Sequence, residues 1–157
     1  MRLARLKLND RSAVYHCMSR IVGGQRLLHE GARERFVRRL WPLAAFCGVE
    51  VLTYCVMPNH FHLLVRVPAP APLSDAQLLA RLEAFYGGRG VLVAVARQAM
   101  ATQGRLPEAL RRGLEARLGD VSVFLKELNQ GFSRWYNRQA GRSGTLWAER
   151  FKSVLVE

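Results

Sequence analysis

Two histidines one residue apart, His60 and His62, are the side chains of this chain best placed to do chemistry. Successive side chains of a strand point to opposite faces, so His60 and His62 point one way and Phe61 points toward a core. Two imidazoles on one face can chelate one divalent cation, with substrate oxygens strengthening the hold. Leu64 and Arg66 continue that face. His16, in an earlier candidate strand, offers a third imidazole if the register brings it alongside. The same spacing also suits a solvated or hydrogen-bonded surface pair, so spacing alone does not require a metal.

These side chains need a sheet to hold them. Ala13 to Arg20 alternates, with Val14, His16 and Met18 on one side and Tyr15, Cys17 and Ser19 on the other. Gly23-Gly24 breaks it. From Glu30 to Cys47, the residues Phe36, Val37, Leu40, Leu43, Ala44 and Cys47 recur at three and four, which predicts an amphipathic helix closed by Gly48. Arg33, Arg35, Arg38 and Arg39 fall off that stripe and read as a plain basic helix face. Val49 to Val56 and His60 to Val67 read as strands joined into an antiparallel hairpin at Met57-Pro58-Asn59, because Pro58 cannot donate to a ladder.

Pro68, Pro70 and Pro72 form an extended linker. Ser74 N-caps a helix with the stripe Leu78, Leu79, Leu82 and Phe85, stopped by Gly87-Gly88. Residues 91–118 read as one or two helices broken near Gly104 and Pro107. Asp120 caps a longer helix reaching about Arg138, with the stripe Phe124, Leu125, Leu128, Phe132 and Trp135. Leu146 to Val156 reads as a last strand, with Arg150 and Lys152 on the face opposite Phe151. The resulting βαββαβ order is the ferredoxin-like α+β pattern, an antiparallel sheet with helices on one face. Residues 1–157 read as one domain, with a helical insertion at about 70–118 before the second core helix. The bare sheet face is left for a ligand.

Composition bounds what that ligand can be. The chain has 157 residues, half of them apolar, which excludes a disordered chain and allows one real core. No apolar run approaches the roughly 20 residues of a membrane span, and the N-terminus lacks the apolar region of a signal peptide. Cys17, Cys47 and Cys55 form no CxxC pair and read as reduced, buried thiols of a cytoplasmic protein. Lys and Arg total 24 against 12 Asp and Glu, a net charge of +12, and most of the cations are Arg. That balance is the footprint of a nucleic-acid partner, with a generally basic soluble protein as the plain alternative. Residues 1–12 read as a basic arm. Arg134, Arg138, Arg142, Arg150 and Lys152, interleaved with Trp135, Tyr136 and Trp147, suit single-stranded or hairpin DNA: cations follow the backbone and aromatic rings stack on bases. The same stretch also reads as a solvated basic face over buried aromatics. The strands lack the glycine-aromatic pattern of an RNA-recognition sheet.

The run Met57-Pro58-Asn59-His60-Phe61-His62-Leu63-Leu64-Val65 resembles the histidine-hydrophobic-histidine (HUH) motif of single-tyrosine transposases of the IS200-like family, the REP-associated tyrosine transposases above all. Val14-Tyr15-His16-Cys17-Met18-Ser19-Arg20 agrees with the same group. So do Phe132-Ser133-Arg134-Trp135-Tyr136-Asn137-Arg138 and Gly144-Thr145-Leu146-Trp147-Ala148-Glu149-Arg150-Phe151-Lys152-Ser153. The resemblance covers nearly the whole chain and is thinnest over residues 70–118. It implies a ferredoxin-like sheet, a homodimer, recognition of imperfect DNA hairpins, and cleavage and rejoining of single-stranded DNA in transposition. It implies His60 and His62 as ligands of Mg²⁺ or Mn²⁺, and a tyrosine that forms a 5′-phosphotyrosine link.

In that family the nucleophilic tyrosine, and a polar residue that helps hold the metal, lie on a helix after the last strand. The sequence ends at Glu157, so both are expected to be missing. Tyr136, amid Arg134, Asn137 and Arg138, is the stand-in the local chemistry offers, although Phe132 and Trp135 beside it suit packing. Tyr15, Tyr54 and Tyr86 offer no better case. Two functions follow from the resemblance: a metal-dependent DNA nicking and joining domain, or a truncated hairpin-binding module without chemistry, regulatory or vestigial.

Overall fold

Period-two alternation in the first half of the chain becomes three eight-residue strands, β1 (Ala13–Arg20), β2 (Glu50–Met57) and β3 (His60–Val67). The structure is a computed structural model that describes residues 7–156. Residues 1–6 of the expected basic arm lie outside the described residues. A short fourth strand, β4 (Lys152–Leu155), completes a sheet of order β2-β3-β1-β4 in which all neighbours are antiparallel. Helix α1 (Glu30–Cys47) connects β1 to β2, and a two-residue turn at Pro58-Asn59 connects β2 to β3. Between β3 and the second core helix α5 (Val121–Gln139) come α2 (Asp75–Tyr86), α3 (Val91–Gln103) and α4 (Glu108–Glu115). The expected ferredoxin-like α+β architecture is therefore present, and the helix break near Gly104 and Pro107 falls where the sequence placed it.

Local chemistry explains most boundaries. The Ser74 hydroxyl accepts from Gln77 N while the Gln77 side chain accepts from Ser74 N, a reciprocal cap that starts α2. Asp120 Oδ1 accepts from Ser122 N and Val123 N at the start of α5, and Lys7 Nζ donates to Oδ2 at 2.8 Å. Burial alone would raise the Asp120 carboxyl, but Lys7 and the two N–H donors outweigh it and hold it below the ordinary carboxylate range. Gly48 closes α1 at φ 68°. A side chain there would also meet the Arg81 guanidinium.

Odd-numbered residues of β1 and β3 face the helices. Tyr15, Cys17, Phe61, Leu63 and Val65 pack with Phe36, Leu40 and Leu43 of α1 and with Phe124, Leu128 and Phe132 of α5. The Phe36 ring sits 4.7 Å from that of Phe61 and 5.4 Å from that of Phe132. No helix among the described residues is long and apolar enough to cross a membrane.

Three expectations are corrected. The last strand is not continuous from Leu146 to Val156: Trp147 makes only an isolated bridge to Ile21, and regular pairing begins at Lys152. Trp147 is drawn inward, its Nε1 donating to Asn129 O at 3.0 Å, and residues 148–150 bend before the buried Phe151. Trp135 is half-buried rather than part of the α5 core stripe, which steps by four from Leu128 to Phe132 to Tyr136. Cys55 is exposed, because β2 is an edge strand, whereas Cys17 and Cys47 are buried.

Burial, followed by the charge of Glu127, pushes the Cys47 thiol up to about 12. A thiol reagent at about pH 8 is therefore expected to label Cys55 alone in the folded chain and all three cysteines in urea. Equally fast labelling of Cys47 in the folded state would contradict this packing.

Candidate metal and nucleic-acid site

The other face of the sheet carries the even-numbered residues of β1 and β3, which are exposed or half-exposed. Register decides what meets there. His60 pairs across with Arg20 on β1 and Met57 on β2. His62 pairs with Met18 and Cys55, and Lys152 lies beyond Met18 on β4. With strands about 4.8 Å apart, Lys152 stands two strands, roughly 10 Å, from His62. Lys152 also forms an ion pair with Glu149 at 2.9 Å.

His16 lies diagonally across from His62, and the two rings stack almost parallel with centroids 5.0 Å apart. His16 Nε2 and His62 Nδ1 share a hydrogen bond of 2.9 Å. His60 Nδ1 is 2.7 Å from Asn59 Oδ1, which is a pure acceptor, so His60 carries its proton on Nδ1 and its lone pair on Nε2. His62 acquires the same tautomer when its Nδ1–H donates to His16. Both Nε2 atoms are then the available ligand atoms, each held by a partner on its other nitrogen, as metal-binding imidazoles require. Burial first, then the charges of His16, His60 and Arg20, lowers the His62 pKa below the ordinary imidazole value.

His16 thus supports His62 rather than adding a third ligand. Among the described residues no group of three or more His, Cys, Asp or Glu side chains is arranged to hold a metal ion. The two imidazoles would suit one divalent cation as part of its ligand set.

The expected DNA-binding cations do not form one surface. Lys152 reaches the histidine face through its pairing with Met18. Arg150 sits in the bend and lines a groove of about 700 Å³ with Lys7, Lys126, Asn129 and Trp147. Arg134 and Arg138 are exposed on α5, in the helical layer on the far side of the sheet. Arg142 Nη1 spans the turn after α5, donating to Asn137 Oδ1 and Thr145 O.

Tyr136 is only 7% exposed and packs against Phe132, Trp135 and His29 in the helical layer. Tyr15 and Tyr54 point away from the histidines, the latter stacked edge-on with Trp41. Tyr86 ends α2. Among the described residues, no tyrosine stands on the histidine face. Arg20 was missed as a site residue, although its alternation with His16 and Met18 already placed it there. Asn59 and the His16 contact carried no local signal.

Residues 10–78 match the family model described as "Transposase IS200 like". No curated protein matches the chain. A REP-associated tyrosine transposase, solved bound to a REP hairpin, aligns with all of this chain at 13% identity and a TM-score of 0.53. This chain spans 63% of that protein's length. A candidate transposase from Deinococcus radiodurans R1 aligns with all of this chain and 87% of its own at 15% identity, with a TM-score of 0.46. At such identity the first likeness is one of fold, and the second bears no weight. The α+β fold is shared with the REP-associated tyrosine transposase. Residues 10–78 are similar to the IS200-like transposase family.

Proposed function

We propose that this chain binds single-stranded, hairpin-bearing DNA and presents one phosphate of it to the His60–His62 face, in the strand cleavage and rejoining of DNA transposition. The observation that carries this reading is the pair of imidazoles on one solvent-facing strand, each anchored through Nδ1 and open at Nε2. Mg²⁺ or Mn²⁺ held by His60 and His62 would polarise the scissile phosphate and stabilise the charge that develops on it. Arg20, directly across from His60, is placed to seat a neighbouring phosphate oxygen, and its planar fork suits that task. Arg134, Arg138, Arg142, Arg150 and Lys152 hold the DNA backbone in this reading.

In the family reaction a tyrosine hydroxyl attacks phosphorus, the bond to the 3′ oxygen breaks, and a 5′-phosphotyrosine forms. No tyrosine of this chain faces the histidines, so in this reading the attacking hydroxyl comes from outside these 157 residues. The same placement favours a second reading, a hairpin-binding module without chemistry of its own. Residues 1–157 act as one domain with an insertion at 70–118, as a homodimer, in the cytoplasm, where unpaired thiols persist.

Labelled hairpin DNA with a single-stranded tail and Mn²⁺ tests both readings. A salt-sensitive complex on a native gel is expected, with no covalent adduct on a denaturing gel from the chain alone. An adduct that maps to Tyr136 would overturn the tyrosine assignment. Absence of any complex would overturn DNA binding itself.

A further inference from the structure

The groove between α5 and the bend that leads into β4 has the make-up of a small-molecule site. It encloses about 700 Å³, a volume typical of ligand pockets. One wall is a face of α5 from Ser122 to Gln130, eight residues or about 12 Å of helix. The other is the chain between Thr145 and Phe151. Val123, Trp147 and Phe151 supply the apolar part of the lining.

Asn129 belongs to the same lining and is only 7% exposed. Its Nδ2 donates to Ser19 Oγ at 2.8 Å, and its main-chain O accepts from Trp147 Nε1 at 3.0 Å. Its Oδ1 is buried and has no hydrogen-bond partner among the described residues. An acceptor buried in this way is costly unless a donor reaches it, and the groove is the side from which a donor can come.

Charge defines the rest of the ligand. The lining holds three cations, Lys7, Lys126 and Arg150, and two carboxylates, Asp120 and Glu149. Lys7 is paired with Asp120 at 2.8 Å and Glu149 with Lys152 at 2.9 Å, so Lys126 and Arg150 are the cations not committed to these carboxylates. An excess of one positive charge suits a single carboxylate, whereas a run of backbone phosphates would meet Asp120 and Glu149.

We propose that this groove binds a flat aromatic monocarboxylate that carries a ring N–H. The ring lies against Val123, Trp147 and Phe151, the N–H donates to Asn129 Oδ1, and Lys126 and Arg150 hold the carboxylate. Such a ligand ties α5 to the bend before β4. The site stands apart from His60 and His62, and its ligand can bind whether or not the chain binds DNA.

Indoleacetate carries all three features and is the probe. Titrated into the full chain, it is expected to bind with a Kd of about 0.1–1 mM, the range open to a ligand of its size. In a proton–nitrogen correlation spectrum it should move the indole signal of Trp147, whose Nε1–H donates to Asn129 O, and leave those of Trp41 and Trp135 in place. Indoleacetamide, which lacks the charge, and N-methylindoleacetate, which lacks the donor, should each bind about tenfold more weakly. Indoleacetate should lose at least as much on Lys126→Glu, a surface variant expected to melt with the unmodified chain.

A Trp147 signal unmoved at about 10 mM probe, or movement of Trp41 or Trp135 alone, would overturn the site. Equal binding by the amide or by the N-methyl compound would overturn the ligand class. Displacement of the probe by an equal concentration of unpaired DNA would give the groove to DNA and overturn the small-molecule assignment.

Discussion

Mn²⁺ binding to the folded chain will be abolished in the His60→Ala, His62→Ala double variant and will weaken about 10–100-fold in His16→Phe, although His16 is not itself a ligand. An imidazole ligates through the nitrogen without a proton, and His62 has its Nδ1 within 2.9 Å of His16 Nε2. When His16 accepts the Nδ1 proton, His62 Nε2 holds a fixed lone pair aimed at the open face. Phe at position 16 keeps a ring to stack on His62 but accepts nothing, so the ring is free to turn and to adopt either tautomer. His16→Gln restores an acceptor oxygen and should recover most of the affinity.

The lowered His62 pKa adds a pH signature. Protons compete for Nε2 only below the ordinary imidazole range of about 6.5, so affinity at His62 should hold as pH falls from 8 toward 6.5 and decline beneath it. Calorimetry or electron paramagnetic resonance of Mn²⁺ reads all of these. Wild-type affinity in His16→Phe would show that the His16 contact does no positioning.

The parts of this fold that were legible are those written in short-range periodicity. Alternation in Val14, His16 and Met18 and in His60 and His62 determined which side chains share a face before any partner was known. Caps at Ser74 and Asp120 stood out because one side chain and the N–H groups just beyond it suffice to make them. What stayed hidden depended on contacts distant in sequence. The pairing of Met18 with His62 brings His16 beside His62 across 46 residues, and nothing local encodes it. Trp147 leaves the last strand because Asn129 O on α5 offers its indole a partner.

The cation cluster spanning Arg134 to Lys152 looked like one surface, yet the chain passes from the helical layer to the sheet edge within it. Arg134 and Lys152 therefore end on opposite sides of the sheet. Tyr136 was separable from Trp135 only through the four-residue step that carries the core stripe onto it and turns Trp135 toward Arg35.

Phe61→Ala will cost roughly 3–5 kcal/mol of folding stability, the range for deleting a buried aromatic side chain. Its ring is fully buried and meets Phe36 of α1 at 4.7 Å and Trp147 at 5.5 Å, edge-on. One side chain thus ties the central strand β3 to the first core helix and to the segment leading into β4. A change of 1 kcal/mol moves Tm by roughly 2–4 °C in a domain of this size, so a drop on the order of 10 °C is expected.

The consequence reaches the site, because Phe61 sits between the two histidines and its packing holds the strand that aims them. Phe61→Leu, which keeps most of the buried volume, should lose less stability and retain more Mn²⁺ affinity than Phe61→Ala when both are measured well below their melting points. Urea unfolding reads the first quantity and calorimetry the second. A loss under about 1 kcal/mol in Phe61→Ala would mean that the cavity closes and that the strand is held by its ladder alone. Stability lost with Mn²⁺ affinity intact would mean that the histidines are positioned by Asn59 and His16 without help from the core beneath them.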